Sequence, residues 1–319
     1  FFSLMMIYAS TALLIIFFYT APFAFSWSAS SYLKRRDILV GGSLVAGGGL
    51  GGIFLIPEQA IAADEEGEKA PIAVLGASGR TGSLCVEACR KRGIPVRALT
   101  RTSCDVRDPA ALYESIQGCQ SVIYAASASK KGGNAKEIDN NGVVLAGEAC
   151  LKAHVSRYVV LSSTAVTRPK SLGYIFTNVS VGGIMDEKRK GEERLSSIFN
   201  SQAGSSPLSS SYTILRPGGL EEPKKNEILG PSALEISQGD VLAGIVSRAD
   251  LAEVTVELAL SNVANLRNTA LELYYTDSVQ PCEGRFKPLL SNGAIPRLHG
   301  DTYEELFRDI QPNIDFYKS

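Results

Sequence analysis

Beyond residue 70 the chain alternates short apolar runs with longer amphipathic stretches, and the alternation is regular enough to name elements. Pro71 to Leu75 (PIAVL), Val96 to Thr100, Ser121 to Ala125 and Tyr158 to Ser162 are apolar runs with β-branched content, as expected of buried parallel strands. Between them, Gly79 to Arg92, Pro109 to Ile116 and Ile138 to Ala153 place apolar residues at helical spacing. Strands separated by helices of about ten residues predict right-handed crossovers and one doubly wound parallel sheet, an α/β Rossmann fold. The second half is less regular. It reads as a helix Glu187 to Phe199, a Ser-rich connector Ser201 to Ser211, a strand Tyr212 to Leu215, a helix Ala249 to Leu260, a strand Ala270 to Tyr275 and a last helix Thr302 to Ile310. Loops at the C-terminal strand ends, not a separate domain, are expected to build a substrate-side region, with Arg168-Pro169 and a loop Leu172 to Gly183 at its border.

Residues 1–63 follow a different pattern and are read as a targeting leader, with residues 64–70 as a short acidic linker and 71–319 as the folded body. The first 33 residues carry no charge, and Leu4 to Tyr19 is continuously apolar. A second unit follows: Lys34-Arg35-Arg36, a run from Ile38 to Ile56 containing seven glycines, and Ala60-Ile61-Ala62. Paired arginines, a mildly apolar core and an A-x-A end are the parts of a twin-arginine export signal. The arrangement resembles the multipart presequences of plastid proteins in algae with complex plastids, and implies a plastid destination in stroma or thylakoid, the lumen included. The alternative is one or two retained membrane anchors and thylakoid association, against which the glycines weaken both helix formation and lipid burial.

Composition narrows the function classes. With 32 Lys+Arg against 33 Asp+Glu and no basic tail, an electrostatic nucleic-acid binder is excluded; 45% hydrophobic and 20% charged residues exclude a disordered polymer. The six cysteines show no CxxC spacing and the chain has two histidines, which argues against a zinc site. Cys85 and Cys89, four apart on a predicted helix, read as small buried apolar residues.

Directly after the first strand stands Gly76-Ala77-Ser78-Gly79-Arg80-Thr81-Gly82, a GxxGxxG loop running into a helix. Gly76 allows a tight turn, Gly79 lets a diphosphate approach the backbone, and Gly82 permits close helix-to-strand packing, while the helix N-terminus faces the anion. Ser78, Arg80 and Thr81 fill the same loop. At the end of the second strand, where an acid would bind a ribose 2′-hydroxyl, the chain reads Leu99-Thr100-Arg101-Thr102-Ser103. Arg101, helped by Arg80, suits a 2′-phosphate, so the expected cofactor is NADP(H) rather than NAD(H). Asp105-Val106 is placed to contact an adenine, a surface aspartate being the alternative.

LGASGRTG, Cys104-Asp105-Val106, Ser121-Val122-Ile123-Tyr124-Ala125-Ala126, Asp139-Asn140-Asn141-Gly142 and Val160-Leu161-Ser162-Ser163-Thr164-Ala165 resemble, in order and spacing, the atypical short-chain dehydrogenase/reductases of the NmrA-like, NAD(P)-binding type, plastid members especially. The resemblance implies that Ala125-Ala126 passes the cofactor ribose and that Pro217-Gly218 lies beside the nicotinamide. Active short-chain reductases need a Tyr and, four residues later, a Lys; here Lys188 is in place but the earlier position is Ile184, which cannot carry a proton. Tyr174 is a candidate substitute, and Ser163 or Thr164 is placed to hydrogen-bond a substrate carbonyl. Two functions stay open: an NADP(H)-dependent oxidoreductase acting on an unidentified small carbonyl or quinone-like substrate, and a non-catalytic NADP(H) sensor or photosynthetic assembly factor.

Overall fold

Every residue of β1 (Ile72–Leu75) is buried, and its side chains divide between two cores: Ile72 and Val74 on one face, Ala73 and Leu75 on the other. An apolar run without polar alternation requires cover on both faces, and the helices supply it. The structure is a computed structural model that describes residues 69–129, 133–201, 210–221 and 227–311. The targeting leader, most of the linker and most of the Ser-rich connector lie outside the described residues. Residues Ala63–Ser319 form a compact unit of their own.

In chain order the unit contains β1, α1 (Arg80–Lys91), β2 (Val96–Leu99), α2 (Pro109–Ile116), β3 (Ser121–Tyr124), a π-helical turn (Lys136–Gly142), α3 (Val143–Lys152), β4 (Arg157–Leu161), α4 (Leu172–Ser180), α5 (Ile184–Ser201) and β5 (Ser211–Pro217). There follow β6 (Gly219–Glu221), β7 (Leu234–Ser237), β8 (Leu242–Ala243), β9 (Ile245–Ser247), α6 (Arg248–Leu260), β10 (Thr269–Tyr275), β11 (Gln280–Pro281), α7 (Lys287–Ser291) and α8 (Tyr303–Arg308). The main sheet runs β2-β1-β3-β4-β5-β10-β7, parallel except for the edge strand β7. One core packs α1 and α6 on the sheet, the other packs α2, α3 and α5 on its opposite face. This is the doubly wound Rossmann-like architecture. From β1 the chain moves to β2 on one side and returns to β3 on the other, so the crevice at the C-terminal ends of β1 and β3 is the place where such sheets take ligands.

Local chemistry accounts for the helix boundaries. Asp108 accepts from the amides of Ala110 and Ala111 with Pro109 in the first turn, starting α2 where the sequence predicts it. Three expectations need correction. The segment Leu172 to Gly183 is not a loop over most of its length: Ser171 caps the Tyr174 amide and α4 follows. The expected helix Ile138 to Ala153 opens in π-helical register and becomes α-helical at Val143. The helix expected from Glu187 starts at Ile184, with Asp186 and Glu187 in its first turn, where carboxylates suit the helix dipole. Cys85 and Cys89 are buried free thiols, as their spacing implied.

Candidate dinucleotide-binding site

The turn leaving β1 is built so that only glycine fits at its two ends. Gly76 has φ +84°, and a Cβ there would stand 2.6 Å from the Ala126 nitrogen. At Gly82 an added Cβ would lie 2.2 Å from the Gly76 carbonyl oxygen, and at Gly79 it would lie 3.1 Å from that same oxygen. The loop is pinned from below, because the Gly76 and Ala77 amides both donate to the Leu99 carbonyl (2.9 and 3.0 Å) and the Gly79 amide donates to Gly76 (2.9 Å). Ser78, Gly79 and Arg80 are exposed along the rim, Thr81 is half-buried and Gly82 is buried. Helices α2, α4, α6 and α8 each begin with a side chain on a first-turn amide; α1 begins at Gly79 with none. Its opening turn carries no capping side chain, which suits a diphosphate. Ala125 and Ala126 close the opposite wall at the end of β3.

The bonds to Leu99 also bring the end of β2 beside this loop. Thr100 starts a tight turn, with the Cys104 amide on its carbonyl (2.8 Å) and the Ser103 hydroxyl on its amide (2.9 Å), and the exposed Arg101 rides on it, two residues past the Leu99 carbonyl that holds Gly76 and Ala77. No acid stands at this strand end. Asp105 is already engaged, its carboxylate accepting from Arg107 Nε (2.9 Å) and Nη2 (2.6 Å), and this arginine holds its pKa down at about 2. Val106 is buried beneath it.

On the β3–β4 side the structure assembles a group that the sequence did not announce. Asp139, on the π-helical turn, accepts from Ser127 Oγ (2.6 Å) and the Ala128 amide (2.8 Å), and Lys188 Nζ lies 2.9 Å from its carboxylate. Lys188 also reaches the carbonyl of Leu161 at the end of β4 (3.5 Å). The Asp139 side chain is fully buried and that of Lys188 is 12% exposed, so the ammonium is fixed at the strand ends rather than swinging in solvent. Gly191, one turn on, lets α5 approach closely: its added Cβ would meet the Asp139 carbonyl at 2.5 Å. The available signal is an acid at a core-facing helical position between Ile138 and Val143.

The other candidates separate into two groups. Ser163 is half-buried with its hydroxyl on the Thr164 carbonyl (3.2 Å), and the buried Thr164 donates its amide to Pro217 (3.0 Å), so the segment after β4 and Pro217-Gly218 at the end of β5 meet at the C-terminal ends of these strands. An added Cβ at Gly218 would lie 2.2 Å from the Gly244 oxygen, which fixes that junction. Tyr174 is turned elsewhere. It is buried on α4, and its phenol donates to Asp186 while Asn178 donates to the other carboxylate oxygen (2.9 Å). Burial and the Asp186 contact push the phenol up to about 12, the wrong direction for an acid/base at neutral pH. Ile184 packs in a small apolar cluster with Ala128, Val166 and Tyr174.

Behind the site sits a buried charge network that the sequence reading missed. Arg216 on β5 binds Glu192 (2.6 Å) and Glu272 (3.2 Å), the latter also receiving the Ser237 hydroxyl (3.3 Å). Burial and the neighbouring Asp240 carboxylate outweigh Arg216 and raise Glu272 to about 8. Asp240 accepts from the amides of Ala165 (2.5 Å) and Thr167 (2.7 Å), holding Ala165 at φ +64°, a conformation that costs energy for a residue with a Cβ. The turn carrying Ser163 and Thr164 is thereby tied to the second half of the chain.

Comparison with known proteins shows the family. A family model for NAD(P)H-binding proteins matches residues 102–262, just over half of the chain. An uncharacterized chloroplastic protein of Arabidopsis thaliana is 27% identical over 222 residues, covering 61% of this chain and 73% of that one. Among solved structures, the oxidoreductase ylbE of Lactococcus lactis superposes with a TM-score of 0.50 at 17% identity, covering 69% of this chain and 97% of its own. ChuY, an anaerobillin reductase of Escherichia coli O157:H7, gives 0.49 at 20% identity, over 65% of this chain and 98% of its own. The chain belongs to the NAD(P)H-binding family.

Proposed function

We propose that this NAD(P)H-binding protein is a plastid NADP(H)-dependent oxidoreductase acting on a quinone-like or small carbonyl substrate. The observation that carries the reading is the glycine loop Gly76 to Gly82 at the sheet's switch point, closed so tightly that a methyl group fits at neither end. Arg101 beside it, with no acid at the end of β2, supports NADP(H) over NAD(H). The plastid assignment rests on the leader and on the chloroplastic relative.

The chain's own residues then divide the work. The α1 N-terminus and the loop backbone hold the diphosphate; Arg101 holds the 2′-phosphate. Lys188, locked by Asp139, is presented at the strand ends where a nicotinamide ribose would hydrogen-bond it. Ser163 and Thr164 offer hydroxyls to an acceptor oxygen. When bound, the cofactor supplies the hydride. No phenol stands four residues before Lys188, and Tyr174 donates its hydrogen bond to Asp186. A quinone-like acceptor suits this arrangement, because its reduced anion is weakly basic and takes a proton from water, whereas an alkoxide needs a placed acid. The same two observations favour a second reading, a non-catalytic NADP(H) sensor.

The deciding experiment is a fluorescence titration with NADPH and NADH, followed by NADPH consumption against quinones, enones and aldehydes. Preferential NADPH binding with quinone reduction supports the oxidoreductase. NADPH binding without consumption by any acceptor leaves the sensor, and absence of binding refutes both.

A further inference from the structure

The described residues expose eight large hydrophobic side chains, and all eight fall between Leu172 and Ile245, in the segments that follow β4 and β5 at the site's edge of the sheet. Four of them form one stripe on α4. Leu172, Ile175, Phe176 and Val179 stand at i, i+3, i+4 and i+7 and are 84%, 48%, 73% and 79% exposed. The opposite face of the same helix is the one that packs: Tyr174 is buried, and Asn178 accepts from the Met185 amide (2.9 Å) while donating to Asp186. The helix is thus fully anchored to α5 and presents its apolar side outward. Leu220 on β6 and Ile245 on the adjoining strand β9 are exposed as well, at neighbouring register positions.

We infer that α4 docks the protein on a lipid bilayer surface, placing the mouth of the site against the membrane so that an apolar substrate enters from the lipid; the substrate half of this inference rests on the quinone-like reading above. Three features select a bilayer. The chain carries no Asp or Glu between Glu148 and Asp186, while Lys170 is exposed just ahead of α4, an arrangement that suits anionic headgroups. The stripe is a convex ridge that needs no complementary hollow, about 11 Å long at 1.5 Å per residue. Its area, on the order of 500 Å², falls short of the ~800 Å² per partner of a standard protein interface, yet is ample for a helix lying in the headgroup region.

The test uses the unit from Ala63 onward, which has its own complete sheet and cores and lacks the apolar leader. Parent protein and the triple variant Leu172→Gln, Phe176→Gln, Val179→Gln are floated with vesicles of equal phosphatidylglycerol and phosphatidylcholine, and with phosphatidylcholine alone. Light scattering reports oligomeric state, NADPH affinity reports folding, and reduction of a water-soluble quinone is followed in parallel. The parent should float with the anionic vesicles, more weakly with the zwitterionic ones, and the variant should partition at least tenfold less while binding NADPH like the parent. A parent that stays in the aqueous fraction, a variant that floats equally well, or a parent dimer that the substitutions split into monomers overturns the docking. Soluble quinone reduction without vesicle binding removes the docking and keeps the substrate reading; vesicle binding without any quinone reduction does the reverse.

Discussion

Replacing Gly82 by alanine sets two physical effects of opposite sign against each other. Alanine in a helix is favoured over glycine by about 1 kcal/mol, so a loosely packed site would be stabilised. At Gly82 the new Cβ would sit 2.2 Å from the Gly76 oxygen, 2.9 Å from its carbonyl carbon and 3.2 Å from the Ala77 Cα, all backbone atoms. Those atoms have little freedom, since Leu99 holds the amides of Gly76 and Ala77, and the Gly76 oxygen accepts from Gly79. Relief requires α1 to shift by about an ångström, at a cost of ~1–3 kcal/mol for overpacking plus ~1 kcal/mol for the Gly79 hydrogen bond. The net expectation is a destabilisation of ~1–3 kcal/mol, with NADPH affinity lowered at least tenfold because the displaced turn is the cradle itself. Urea unfolding and NADPH titration measure both. Gly173→Ala, where nothing lies within 4 Å, serves as the control and should be neutral or mildly stabilising. A Gly82→Ala protein as stable as the parent with unchanged NADPH affinity would refute the packing argument and the cradle with it.

Further outcomes follow from individual contacts. Arg101→Ala should weaken NADPH binding by ~1–2 kcal/mol, roughly five- to thirtyfold, and leave NADH binding unchanged; equal affinity for both nucleotides in the parent would sink the 2′-phosphate assignment. Tyr174→Phe should leave turnover unchanged and cost about 1 kcal/mol of stability through the lost hydrogen bond to Asp186, whereas a collapse of turnover would restore Tyr174 as an acid. Glu272, raised from 4.5 to about 8, binds a proton in the folded state that the unfolded chain releases at lower pH. Its contribution is therefore complete below pH 4.5, declines as pH rises and is lost through about pH 8. The slope is at most ~1.4 kcal/mol per pH unit, and Glu272→Gln should flatten it; identical pH profiles of urea midpoint in parent and variant would contradict the assignment.

What could be read from the sequence, and what could not, divides along the range of the interactions. β1 to β5 announce themselves because burial on both faces forces short continuous apolar runs, and the glycine loop does because backbone geometry admits no other residue at its ends. α4 does not declare itself in the sequence because its apolar stripe faces outward, so no core-directed pattern marks it. Asp139 shows in the sequence only as part of a motif, since its cation stands on α5, 49 residues away, and nothing local marks Asp240 because the amides it holds lie 73 and 75 residues upstream. The two-residue strands β8 and β11 exist only through pairing with one another. Ile184, by contrast, was legible as the missing phenol from spacing alone, and the structure adds that Tyr174 is directed to Asp186.

The central claim is that the turn after β1 binds the diphosphate of NADP(H) with Arg101 on the 2′-phosphate, and a crystal structure of the protein grown with NADP⁺ tests it most directly. The account predicts the diphosphate over the backbone of Gly79 to Gly82, the 2′-phosphate within hydrogen-bond reach of Arg101, and the nicotinamide ribose beside Lys188. A nucleotide bound elsewhere, or a 2′-phosphate pointing away from Arg101, would contradict it.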